Sequence, residues 1–194
     1  HRIGALLNVY NEETMAHLAG QGANHFALLP ELPRHVVETL GAKAGELGVG
    51  LEVQVFGRAS LALSARCYHA RAHGRTKDNC QFVCGEDPDG MPLRTMDDKP
   101  FLAINGIQTL SHGYLDLLPD LDDMKSIGVT HFRVMPHGCD MIAVTSIFDD
   151  VLAGRMQVDE GEAKLRELGI DAPFVNGFYR GRAGHDWVPR QRVA

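Results

Sequence analysis

Apolar and polar residues alternate along the chain in blocks. Short apolar runs of strand length are followed by stretches with helical spacing of apolar positions. Ile3–Val9 reads as a strand, and Glu12–Ala19 as a helix opened by Asn11 as its cap. His25–Leu29 is a short buried strand ending at Pro30. Pro33–Leu47 follows as a helix, with Pro33 in its first turn and Gly48 just past its end. Leu51–Phe56 is the next strand, stopped by Gly57, and Leu61–Arg66 reads as a short helix leading into Cys67. The pattern resumes with a strand at Phe101–Ile104, a helix at Asp116–Ile127, a strand at Thr130–Met135 and a helix at Ile142–Leu152. Between these blocks, His73 to Pro100 is rich in Gly, Asp, Pro and Asn and has little period. A stretch of that kind inside a compact domain is usually functional or disordered, and a metal would order it. The aromatic, basic tail from Phe174 to Trp187 receives no assignment.

Repeated strand–helix units with few hairpin signals predict an α/β fold with a parallel sheet. Roughly five strands are legible, where a complete β/α barrel has eight and about 250 residues. The reading is therefore a partial TIM-like (β/α) barrel whose N-terminal strands lie upstream. The opening at His1, without methionine and almost directly into an apolar segment, agrees with it. Residues 1–194 then form the C-terminal part of a single β/α-barrel domain, with residues 67–100 as a cysteine-bearing insertion loop. A doubly wound open sheet is the second reading. The dinucleotide and phosphate-loop glycine motifs are both absent, which weakens its nucleotide-binding versions.

Composition narrows the class. A net charge of -6, with 19 basic residues in no dense run, argues against a nucleic-acid surface. No apolar run reaches about 18 residues, so no membrane span is expected. No export signal is visible, which predicts a cytoplasmic protein. In that compartment four cysteines serve metal or catalysis rather than disulfides.

The candidate chemistry centres on Cys67, Cys80 and Cys84. Twelve residues separate the first pair and three the second. Clustered thiolates are soft ligands, and they select zinc, copper(I) or an iron–sulfur centre. Spacing alone leaves zinc and iron–sulfur open. Cys67 follows a strand, which puts it at the C-terminal face of a barrel, where sites are built. Cys139 follows Thr130–Met135 and should share that face. His69 and His73 lie among the cysteines and could be ligands, although loop residues, or residues that brace the ligands from behind, are the plainer reading. Arg66 and Arg71 either balance a thiolate-ligated cluster or are solvated loop charges. Glu52 is either a buried functional carboxyl or the partner of an arginine at the barrel rim. His137 and Asp140 either line a pocket or form turns. His112 reads as a surface residue, and the tail Asn176–Arg182 as packed against the barrel or a partner.

The stretch from Glu52 to Cys67 resembles the signature of the collagenase-like peptidase family, with Glu52, Gly57, Ser64 and Cys67 in register. It departs at Phe56, Ser60 and Ala65, where the signature has His, Cys and Gly. Those departures are similar to the UbiV branch of the family. So are Ala70-Arg71, Lys77-Asp78 before Cys80, Cys84, Asn105 to Thr109, and Asn176 to Tyr179. The resemblance implies a [4Fe–4S] cluster held by four cysteines, three of them Cys67, Cys80 and Cys84 and the fourth upstream of this chain. It further implies a heterodimer with a homologous UbiU subunit and a lipid-binding UbiT accessory protein. The complex would carry out oxygen-independent ring hydroxylation in ubiquinone biosynthesis, with prephenate as oxygen donor and a quinone precursor as acceptor.

Two other readings stand beside it. One is a peptidase with Cys67 as nucleophile and a histidine partner. No convincing Ser-His-Asp order and no His-Glu-x-x-His motif supports it. The other is a non-catalytic scaffold subunit stabilised by its metal. No catalytic residue is assigned.

Overall fold

The computed structural model describes residues 1–189. The chain is mixed α/β, and eight strands join one open sheet. In chain order the first elements are β1 (Arg2–Ile3), α1 (Glu12–Gly20), β2 (His25–Ala27), α2 (Arg34–Leu47) and β3 (Gly50–Leu63). Next come α3 (Tyr68–Ala72), β4 (Met91–Arg94), β5 (Pro100–Asn105), β6 (Gln108–Asp116) and α4 (Leu121–Ser126). The last are β7 (His131–Val134), α5 (Met141–Leu152), α6 (Val158–Glu167) and β8 (Phe174–Val175).

The helices begin and end where their flanking residues dictate. Asn11 caps α1, its side chain accepting from the Thr14 N–H. Such a cap satisfies one of the backbone donors that the first helical turn leaves unpaired. Pro33 precedes α2, and Gly48 closes it in the left-handed conformation, its N–H returning to the Ala44 and Gly45 carbonyls. Asp140 caps α5 through its carboxylate, which accepts from the Ile142 and Ala143 N–H groups. That settles Asp140 as a cap rather than a pocket residue.

β3 is the trunk of the sheet. Its first half pairs in parallel with β2 and with β7, and it is largely buried, with the polar Glu52 and Gln54 alternating with Leu51, Val53 and Val55. Its second half pairs antiparallel with β6. Two expectations fail here. Gly57 does not stop the strand, and Leu61–Arg66 is no helix. Gly57 instead has φ +100°, and a Cβ on it would come within 2.6 Å of His137 and 2.8 Å of Met135. The glycine lets a continuing strand bend past its neighbour, next to register shifts in both ladders. Residues 61–63 are strand because β6 offers them a ladder; a short apolar run carries no period that could have decided it.

Antiparallel pairing is the larger departure. β4, β5 and β6 form a meander beyond β3, and Asn105–Gln108 makes its tight turn. The stretch from His73 to Pro100 is thus not without structure. It holds two 3₁₀ turns, Lys77–Asn79 and Val83–Glu86, and then β4. The helix expected over Asp116–Ile127 is shorter, because Asp116 still belongs to β6 and Leu118–Asp120 is a 3₁₀ turn. Likewise only Arg2–Ile3 of the first apolar run is strand, and Ala5–Leu7 is a 3₁₀ turn.

The core lies between the parallel part of the sheet and its helices. Phe26, Leu51, Val55 and Phe56 from the strands meet Met15, Leu40, Met124, Val144 and Leu165 from the helices, and all are essentially without exposure. The tail docks on this body as expected. Tyr179 donates to Asp123 Oδ2 at 2.7 Å, Arg34 forms a two-point pair with the same carboxylate, and Arg180 pairs with Asp120. Burial, and after it the Asp123 carboxylate, pushes the Tyr179 phenol above its ordinary range and keeps it protonated.

Candidate functional site

Beyond Leu63 the chain leaves the sheet on an excursion and returns at β4. Ser64 N–H bonds the Ile107 carbonyl at 2.9 Å, so the departure point is tied to the meander turn. Cys67 opens α3, its sulfur accepting from the Ala70 N–H at 3.4 Å. Cys80 accepts in the same manner from the Phe82 N–H at 3.4 Å. Cys84 sits in the following 3₁₀ turn. All three thiols are free and half-buried. Arg66 and Arg71 are exposed, whereas Arg75 donates to the Cys80 carbonyl at 3.0 Å.

Between Cys80 and Cys84 the backbone is strained. Gln81 and Phe82 have φ +51° and +53°, and Val83 N–H returns to the Cys80 carbonyl at 3.2 Å. A turn with both central residues left-handed favours Asn and Gly, and bulkier residues there cost roughly 1–2 kcal/mol each. The Phe82 side chain gains nothing from it, being 83% exposed. Strain without packing compensation marks a segment shaped for something other than stability.

The excursion is clamped back through the stretch Asp87-Pro88-Asp89. His69, fully buried, bonds the Ile104 carbonyl through Nδ1 at 3.1 Å and faces Asp87 through Nε2 at 2.9 Å. It is no loop residue. Asn105 donates to the Pro88 carbonyl at 3.1 Å. Asp89 accepts from the Gly138 N–H at 2.6 Å and lies 3.5 Å from His137 Nδ1. His137 Nε2 in turn accepts from the Arg58 N–H at 2.9 Å, so Nδ1 carries the ring hydrogen toward Asp89. Burial lowers the His137 pKa and keeps the ring neutral. His137 therefore joins β3, the loop after β7 and the excursion.

A cavity of about 690 Å³ opens beside this clamp, lined by Arg58, Asp89, Arg94, His112, Tyr114 and Asp171 among others. The Arg58 guanidinium lies over the Tyr114 ring, 4.7 Å from its centroid, and donates to the Ser111 and His112 carbonyls. Its Nε–H is buried and has no hydrogen-bond partner among the described residues. The Tyr114 phenol is pushed up to about 12, chiefly by burial, and so remains a donor. His112 is not a plain surface residue. It lines the cavity, and burial, then Arg58 and Arg94, lower its pKa. Sequence reasoning passed over Arg58, Asp89 and Tyr114, whose only signals were a charge in an apolar strand and a loop carboxylate.

A family model described as peptidase family U32 matches residues 3–189. The chain belongs to this family. No solved structure matches it. His69, the histidine nearest Cys67 in sequence, has both ring nitrogens engaged elsewhere. Glu52 pairs with His25 at 2.7 Å and with Arg133 at 3.2 Å, the ion-pair reading of that residue. Cys139 lies 3.6 Å from the Met141 sulfur, and burial raises its pKa, which favours the thiol over the thiolate ligand. Among the described residues no helix is long and apolar enough to cross a membrane.

Proposed function

We propose that this family member is an iron–sulfur subunit of an oxygen-independent ring-hydroxylation complex, as its resemblance to the UbiV branch implies. The observation that carries the reading is the strained excursion that bears Cys67, Cys80 and Cys84 and uses little of its surface for packing. These three thiolates would hold a [4Fe–4S] cluster, with the fourth from the upstream cysteine that the resemblance implies. The donor set fits. The thiols are free, and Cys67 and Cys80 already accept backbone N–H bonds of the kind that stabilise sulfur charge. When bound, such a cluster supplies one-electron chemistry.

The chain's own residues have separable tasks. Arg75 fixes the Cys80 carbonyl, and the Asp87–Asp89 clamp orients the excursion against the sheet. The neighbouring cavity carries Arg58, Arg94 and the Tyr114 phenol beside Asp89 and Asp171, and its basic groups would take the carboxylates of prephenate. A UbiU-like partner, a UbiT-like lipid carrier, a quinone precursor as acceptor, a cytoplasmic setting and completion of the open sheet into a β/α barrel by upstream strands belong to the same proposal. The test is anaerobic purification of the chain extended upstream. A brown colour with broad visible absorption, lost in Cys84→Ser, is expected. Zinc in place of iron would contradict the reading.

A further inference from the structure

We propose a second metal site on the excursion, distinct from the thiols, in which His69, His73 and Asp87 bind one divalent transition ion of the zinc or iron(II) class. Their ligand atoms all lie within 4.8 Å of one another. Asp87 Oδ2 is 2.9 Å from His69 Nε2 and 4.0 Å from His73 Nε2. Two donors about 2.1 Å from a tetrahedral ion stand about 3.4 Å apart, between these two values. The site is independent of the iron–sulfur reading.

Three features of the group suit a bound ion. The first is the tautomer of His69. A carbonyl can only accept, so the bond to Ile104 places the hydrogen on Nδ1. Neutral His69 then aims the Nε2 lone pair at a carboxylate oxygen, and two acceptors face each other at 2.9 Å. Either a proton or a metal ion must lie between them. The bond from the second ring nitrogen to a backbone carbonyl is the arrangement that orients metal-bound imidazoles. The second feature is His73. It follows His69 by four residues at the end of α3, and the rings stack at 5.4 Å and 11°. An ion pair needs one imidazole; a second, presented in parallel to the same carboxylate oxygen, is redundant for it but completes a ligand set. The third is access. His69 is wholly buried while His73 and Asp87 have about a third of their side chains exposed, so the site has a closed back and an open front. Two imidazoles and one carboxylate select zinc or iron(II) and leave a coordination position for water.

The experiment is a cobalt(II) titration of the protein with Cys67, Cys80, Cys84 and Cys139 all changed to Ser. The expected result is one bound equivalent with visible d–d bands and no sulfur-to-cobalt charge transfer. His73→Ala, at the exposed edge, is expected to weaken binding by at least about 100-fold without unfolding the chain. No cobalt bound by the folded variant, or undiminished binding in His73→Ala, overturns the proposal. Should the serine variant fail to fold, the ring 15N resonances of the wild-type protein decide, with zinc added beyond the thiol-bound equivalents. Nε2 shifts at both His69 and His73 support the site. Unmoved signals, with His69 in the imidazolium pattern, leave a plain His69–Asp87 ion pair and overturn it.

Discussion

The two ends of β3 lead into regions held together by different means. At its first half, Phe26, Leu51, Val55 and Phe56 are sealed between parallel strands and helices, and apolar burial carries the structure. Past Leu63 the excursion buries little that is apolar, chiefly Ala70 and Val83. It is fixed instead by carboxylates and imidazoles, through Asp87, Asp89, His69 and His137. The same strand thus joins a body that folds by packing to a loop that folds by polar contacts. A loop of the second kind gains most from a bound ion, because each metal–ligand bond replaces packing it lacks.

Substitutions can break this contrast. The largest effect is expected in the body. Phe56→Ala, which removes a ring packed on Phe148 at 5.8 Å and Tyr114 at 6.1 Å, should cost about 3–5 kcal/mol in denaturant unfolding. An equal loss from Val83→Ala would erase the distinction.

Asp116 sharpens the contrast through pH. Burial raises its carboxyl to about 7 from the ordinary 3.8, and Oδ2 has no hydrogen-bond partner among the described residues. The folded state therefore holds the proton more tightly than the unfolded state. The stability this gives is full below about pH 4 and falls as pH rises toward 7. Asp116→Asn should match the wild type near pH 4 and exceed its stability near pH 8, by an amount on the order of a few kcal/mol. Thermal melts across that range read the difference, and parallel curves for the two proteins would contradict it.

Smaller effects are expected at the clamp and the caps. Asp89→Ala removes the Gly138 bond and the His137 partner, and should cost about 1–2 kcal/mol. Its clearer signature is faster proteolysis between Arg71 and Glu86 with the body intact. Asn11→Ala, at the α1 cap, should cost about 1 kcal/mol and leave that cleavage rate unchanged. If Asp89→Ala left proteolysis unchanged too, the excursion would be held by something other than its polar ties.

How much of this was legible in the sequence follows from the same contrast. α1, α2, β2, β7 and α5 were legible because their apolar spacing, caps and breakers agree with one another. β3 beyond Gly57 was not, since glycine marks a stop and a bend alike, and only pairing with β6 separates them. α6 was missed because just Gly161 and Leu165 face the core, too thin a stripe to show as a period. At the site, residue type exposed the three cysteines, while Arg58, Asp89 and Tyr114 are joined only by the fold. The spacing of His69 and His73 was in plain view. Both were candidate ligands from their place among the cysteines, but that they share a helical turn was hidden, because the helix beneath them, Tyr68–Ala72, is too short to be seen from periodicity.

The central claim, that the excursion is built for an iron–sulfur centre, is tested most directly by iron and sulfide content with a visible spectrum. Both would be measured on anaerobically prepared protein, for this 194-residue chain beside one extended upstream. The account expects iron, sulfide and a brown colour in the extended chain and little of any in the shorter one. Zinc at the thiols, or no metal in either, would contradict it.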